Sequence, residues 1–199
     1  AETIETALQA QRYEGNYYKN GGQVSGVLAT ETDLSSKTRF DENGNAIDLK
    51  NRIRELDDST RLARIQLIVH CVGDMHCPAH IRYPGNTTIG YYKVDYFGRE
   101  MRYHTIWDSE IVQRPHPWSF TDLAWLLDRY TEAERAEITS GTVYDWGRES
   151  AAASKCIYDV QPGESIAHDF IKKYKPLAES QIAKAGYRLA AVLNDVFGK

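Results

Sequence analysis

Apolar positions along this chain recur mostly at helical spacing. In "DDSTRLARIQLIVHCVGDMH", residues 57–76, they fall three and four apart and predict one helix, with Asp58 and Ser59 as N-cap candidates. Its middle, Ile65 to Val72, is apolar nearly all round, which places it inside the fold. Pro78 ends that helix and turns the chain. The pattern then changes to alternation in "YYKVDYFGREMRY", residues 91–103, where aromatic and β-branched residues flank Gly98 and predict a β-hairpin.

Helical spacing returns in "HTIWDSEIV" and "FTDLAWLLDRY". Thr131 with Glu134 makes a capping box, and Thr142 with Asp145 a weaker form of one. A last helix is expected from near Pro176, with Leu177, Ile182, Ala185, Leu189, Val192 and Val196 along one face. Residues 1 to 45 open with a short helical pattern and pass through turn-rich "KNGGQ" and "FDENGNAID". The reading is a mainly α domain, a multi-helix bundle with one small β-hairpin.

Length and charge set outer limits. A chain of 199 residues suits a single domain spanning 1–199 with a substantial core. Its formal net charge of −4 gives no electrostatic case for a duplex-binding basic face. The 13 Tyr, 4 Trp and 5 Phe are read mostly as core and amphipathic surface, and a minority could serve as stacking platforms for unpaired bases. No run approaches the ~18 apolar residues of a membrane span, and no signal peptide is visible. Cys71, Cys77 and Cys156 are an odd number, so at most one disulfide forms within the chain. Cys71 and Cys77 are awkwardly spaced along a helix, and either could instead meet Cys156.

Chemistry concentrates in "HCVGDMHCPAH", residues 70–80. His70 and Asp74 are four apart and share a helix face, as do His104 and Asp108 in "HTIWD". Polar groups in apolar segments need partners. One such pair is usually a surface ion pair or a satisfied core contact. Two pairs with His80 between them form a nitrogen and oxygen donor set suited to zinc, and an Asp can bridge two ions. His76 lies off the shared face and reads as a structural or supporting residue. His116 and His168 read as surface residues of a loop and a helix start. A di-iron bundle is disfavoured, since the chain has no Glu-x-x-His.

"LIVHCVGDMHCPAH" followed by "YFGREMRYHTIWD" resembles the signature of the trizinc, single-strand-specific nucleases. These are the mould nucleases of the S-one and P-one type and the plant bifunctional nucleases, whose fold is related to zinc-dependent phospholipase C. Their pattern is His-x3-Gly-Asp-x2-(Gln or Cys)-Pro-x-His, then Leu-His-x2-Trp-Asp. "AESQIAKAGYRLAAVLND" is similar to the family's closing helix, so the resemblance covers roughly residues 60 to 197.

The resemblance implies that His70 binds the first zinc of a close pair and that Asp74, the catalytic carboxylate, bridges that pair. It implies that His80, His104 and Asp108 hold a third zinc. It further implies hydrolysis of single-stranded DNA and RNA, and of 3′-nucleotides, to 5′-phosphorylated products by a secreted or periplasmic enzyme carrying up to three zincs.

Departures shape the expectation. No histidine precedes His70, and the family's N-terminal Trp, its early His, its Trp-Ala-Asp segment and its next His ligand have no counterpart. The family's Gly-Gly-Asn before the hairpin reads Thr88-Ile89-Gly90. Only the third site is complete, so the chain is expected to be the C-terminal two-thirds of a longer domain. An N-terminal fragment of the same protein would supply the other ligands, and the chain alone would cleave poorly or not at all. Two alternatives stay open: a phospholipase C-type phosphoesterase, and a non-catalytic helical zinc-binding protein that has lost the close pair.

Overall fold

The computed structural model describes residues 39–40, 46–47, 55–81, 92–116 and 119–197. The opening helical pattern, "KNGGQ" and Thr88-Ile89-Gly90 lie outside those residues. The chain falls into two compact units, one comprising 1–67 with 196–199 and the other 68–195. In the first, β1 (Arg39–Phe40) and β2 (Ala46–Ile47) pair antiparallel across the stretch read as a turn. The boundary between the units falls within helix α1 (Asp58–His76).

Asp57 caps α1, one residue before the expected N-cap. Its Oδ1 accepts from the Ser59 and Thr60 backbone N–H groups at 3.1 and 3.0 Å and from the Ser59 hydroxyl at 2.6 Å. Those side-chain and backbone hydrogen bonds hold its carboxyl well below the usual carboxylate range. The apolar middle of α1 is not the buried core the sequence implies. Leu67 and Val69 stay exposed, and the only fully buried residue of the helix is His76, at its end. Periodicity reports how apolar a stretch is but not which neighbours cover it, and α1 reaches the core only through its last turn.

The hairpin forms as expected. β3 (Lys93–Tyr96) and β4 (Arg99–Arg102) pair antiparallel, with Lys93 opposite Arg102 and Tyr96 opposite Arg99. The two-residue turn is Phe97 (φ 53°) and Gly98 (φ 76°), the double positive φ that matches strand twist. A strand the sequence did not reveal, β5 (Ser165–Ile166), pairs parallel with β3 and completes the order β4-β3-β5. Two residues are too few to carry a period.

Apart from β5, the described elements beyond β4 are helical, in keeping with the mainly α reading. α2 is continuous but mixed: an α turn (Tyr103–Thr105), a π turn (Ile106–Glu110) and another α turn (Ile111–Gln113). α3 (Phe120–Leu127), α4 (Glu132–Thr139) and α5 (Val143–Ala153) follow. Both capping boxes are present, Thr131 with Glu134 and Thr142 with Asp145. A 3₁₀ turn (Ser154–Asp159) carries Cys156, and α6 (His168–Phe197) closes the fold.

α6 begins eight residues before Pro176, which sits inside it. Its buried positions are Phe170, Tyr174, Ala178, Gln181 and Arg188, whereas Ile182 of the expected face is exposed. Hydrophobic spacing misassigned this face because two of its buried members are polar and satisfied by hydrogen bonds. Among the described residues no helix is long and apolar enough to cross a membrane.

The core joins the sheet to α2 and α6. Tyr103 stacks on Tyr92 at 5.4 Å and meets Trp107 and Phe170 edge-on, and Tyr174 extends the aromatic group. Ile106 and Ile111 are fully buried beside them. These placements set two contrasting expectations. Ile111→Ala should cost about 2–5 kcal/mol, while Val69→Ala, at an exposed position, should stay within about 0.5 kcal/mol. Denaturant unfolding of both variants checks this, and equal losses would put the middle of α1 back in the core.

Candidate metal centre

The hexapeptide "YHTIWD" carries two i,i+4 pairs offset by one residue. Tyr103 and Trp107 form one pair and are buried at 0% and 4% exposure, gripping the core. His104 and Asp108 form the other and are presented beside it. The π turn begins at Ile106 and contains Asp108, so the uniform α-helix read from the sequence is locally widened there. Such turns often mark functional positions. His104 Nε2 lies 3.3 Å from Asp108 Oδ2.

The facing half comes from the end of α1 and the 3₁₀ turn Pro78–His80. His70 Nε2 is 3.3 Å from Asp74 Oδ2, confirming their shared face. His80 joins the halves. Its Nδ1 is 3.2 Å from Asp74 Oδ2 and its Nε2 is 2.8 Å from Asp108 Oδ1. Its ring also stacks on that of His104, with centroids 4.7 Å apart. All five sequence-derived residues therefore meet in one string: His70, Asp74, His80, Asp108, His104. The sequence had divided them between two sites, and the structure makes them contiguous through His80.

A sixth residue was missed. Cys77 donates its S–H to Asp108 Oδ1 over 3.6 Å, and Cys77, His80 and Asp108 each offer a donor atom within 4.8 Å of the others. The signal is the Cys-Pro-x-His spacing, in which the sequence reading takes Cys77 as a disulfide candidate and a motif position but not as a metal ligand. Burial pushes the Cys77 thiol well above its ordinary range, and nearby Asp108 adds to the effect. All three cysteines are free thiols.

The end of α1 is pinned by a buried polar network, which accounts for His76. Its Nδ1–H donates to the Val72 carbonyl at 2.7 Å, leaving Nε2 to accept from Arg188 Nη1 at 2.9 Å. Burial lowers its pKa, consistent with a neutral ring in that tautomer. Gln181 Nε2 donates to the His76 carbonyl at 3.3 Å, and Arg188 Nε to the Ile138 carbonyl at 2.9 Å. Arg188 also pairs with Glu149, as does Lys184. Burial alone would raise the Glu149 carboxyl, but those hydrogen bonds outweigh it and hold it low. His76 is thus a supporting residue, as its position off the ligand face implied.

His116 departs from its sequence reading. Instead of a surface loop residue it is nearly buried, with Nε2 2.6 Å from Glu179 Oε1 and 3.1 Å from Lys175 Nζ. His168 starts α6 and is exposed, with its ring edge-on to Phe97. Neither belongs to the cluster.

Electrostatics centre on His80. Burial alone would lower its pKa, but hydrogen bonds to Asp108 and Asp74 and their charges prevail and push it up to about 9. A raised imidazole pKa stabilises the fold while the ring is charged. In the metal-free chain that contribution is complete below the unfolded value of about 6.5 and is lost as pH rises through about 9. A divalent cation on His80 must displace one of its ring protons, so metal affinity should rise with pH over the same window. NMR titration of the metal-free protein checks this: the His80 resonances should move with a midpoint near 9. A midpoint at or below 6.5 would dissolve the bridging arrangement.

The sequence of this chain has relatives among known proteins. The model of the S1/P1 Nuclease family matches residues 18–198. Endonuclease 4 of Arabidopsis thaliana is 25% identical over 149 residues, covering 67% of this chain and 50% of its own. Endonuclease 2 of the same plant is 24% identical over 149 residues, covering 66% and 50%. The chain thus spans about half the length of the curated relatives it matches. With the family model extending over nearly all of the chain, both His-x-x-x-Asp helices included, this chain belongs to the S1/P1 nuclease family.

Proposed function

We propose that the whole protein is a zinc-dependent endonuclease that hydrolyses phosphodiester bonds in single-stranded DNA and RNA and leaves 5′-phosphorylated products. The observation that carries this reading is the string His70–Asp74–His80–Asp108–His104, held together by His80. Membership of a nuclease family and the name endonuclease on the plant relatives support it.

The donor chemistry fits zinc. Three imidazoles and two carboxylates are the nitrogen and oxygen ligands it favours, and the carboxylates offset the charge of divalent ions. His70 and Asp74 would serve one ion, with Asp74 positioned to bridge, and His80, His104 and Asp108 another. Bound there, zinc supplies Lewis acidity toward phosphate oxygens and lowers the pKa of water.

The chain's own part is to hold and orient. Tyr103 and Trp107 fix the helix that presents His104 and Asp108. The His76–Arg188 contact fixes the turn that presents Asp74 and His80. Asp108 is 39% exposed and His70 43%, so the string meets solvent at both residues, where a flexible phosphate backbone can approach. The acidic balance of −4 favours strands bound through local contacts over a duplex held by a broad basic face.

The test is cleavage of single-stranded and duplex DNA and of single-stranded RNA by the purified whole protein, with zinc or a chelator. Single strands should be cut faster, and only with metal. Asp74→Asn should lower the rate by about 100-fold or more, since an amide cannot bridge two cations. His76→Ala, which leaves all five donors in place, should cost less. Chelator-resistant cleavage, or equal losses from the two substitutions, would overturn the proposal.

A further inference from the structure

The six-residue cluster contains one donor that the nitrogen and oxygen set does not include. We propose that Cys77 is a metal ligand in this protein: its sulfur joins His80 and Asp108 on one zinc and gives that position a mixed sulfur, nitrogen and oxygen shell. The inference rests on reading the cluster as a zinc site, and goes beyond it by adding a soft donor from this chain.

Geometry carries the argument. Zinc binds sulfur at about 2.3 Å and imidazole nitrogen or carboxylate oxygen at about 2.0 to 2.2 Å, so tetrahedral donors on one ion stand about 3.3 to 3.6 Å apart. Cys77 Sγ and Asp108 Oδ1 are 3.6 Å apart. Asp108 Oδ1 and His80 Nε2 are 2.8 Å apart, a hydrogen-bond distance that need open by only about half an ångström. All three donor atoms lie within 4.8 Å of one another.

The backbone places the sulfur there without strain. Cys77 sits at the junction of α1 and the 3₁₀ turn, in extended conformation at φ −80° and ψ 119°, and its N–H donates to the Asp74 carbonyl at 3.1 Å. Pro78 follows directly, fixing the turn that brings His80 around beside it. On the far side, the buried His76 ring is locked by Arg188. The backbone on both flanks of Cys77 is thus held in place, which favours ligation because little main-chain ordering remains to be paid on binding.

The chemistry is simple to balance. The thiol releases its proton to solvent as the sulfur–zinc bond forms, and its S–H···Asp108 hydrogen bond is exchanged for shared coordination of one ion. A thiolate donor favours zinc over magnesium, calcium or manganese, which prefer oxygen. The site would therefore hold zinc selectively even where hard cations are in excess.

Cobalt(II) substitution of the full chain tests this without relying on activity. Tetrahedral cobalt bound through sulfur shows an intense sulfur-to-metal charge-transfer band in the near ultraviolet, separate from its visible ligand-field bands. The band should be present in the cobalt protein, absent from Cys77→Ser, and retained in Cys71→Ser and Cys156→Ser. Zinc affinity should fall by about 100-fold or more in Cys77→Ser, at or above the upper end of what loss of an outer-shell partner costs. Cobalt bound with ligand-field bands but no charge-transfer band, or a band surviving in Cys77→Ser, would overturn the inference while leaving the zinc-site reading intact. A chain that takes up neither cobalt nor zinc would overturn both.

Discussion

Two carboxylates and one imidazole organise this molecule's chemistry. His80 has a nitrogen against Asp74 and a nitrogen against Asp108, so it ties the end of α1 to the first turns of α2. Neither helix alone gathers enough donors to hold a divalent ion. Joined at His80, they bring together His70, Asp74, Asp108 and His104, with Cys77 at the same junction. Apposed acids repel and a buried imidazole resists charging, so the arrangement needs positive charge between its carboxylates. A ring proton supplies it at neutral pH, and a metal ion would supply more.

The rest of the fold serves that junction from both sides. Tyr103 and Trp107 lock α2 into an aromatic core shared with Phe170 and Tyr174, and turn their sequence neighbours His104 and Asp108 toward His80. On the other side, α6 reaches across with Arg188 and Gln181 to hold the His76 ring and carbonyl. Each of the three guanidinium nitrogens of buried Arg188 has a partner, in the Ile138 carbonyl, His76 and Glu149. A buried charge is tolerable only with such partners. α6 thus contributes to the site through contact with the segment that bears Asp74 and His80, without adding a residue to the string.

Much of this was legible in the residues. Four-residue spacing identified both His/Asp pairs, Gly98 between alternating strands identified the hairpin, and Thr131 and Thr142 marked helix starts. These signals are local, and local geometry decides them. What stayed hidden depended on distant neighbours. Arg188 and Gln181 carry no local sign of burial; it comes from His76 and Ile138 being brought against them. His116 looked like a loop residue because Glu179 and Lys175 lie some sixty positions away. The apolar middle of α1 looked like core, yet only its last turn enters. Cys77 reads as a disulfide candidate rather than a ligand because its nearness to Asp108, thirty-one positions away, leaves no local mark. The π turn at Asp108 was invisible because one residue of extra turn leaves no mark on a five-residue stretch.

The central claim is that the His80 junction binds zinc through imidazole and carboxylate. X-ray absorption at the zinc edge of the metal-loaded protein tests it most directly. The account predicts a first shell dominated by nitrogen and oxygen at about 2.0 to 2.2 Å, with the outer-shell scattering of imidazole rings. A shell of sulfur alone, or one without imidazole scattering, would contradict it.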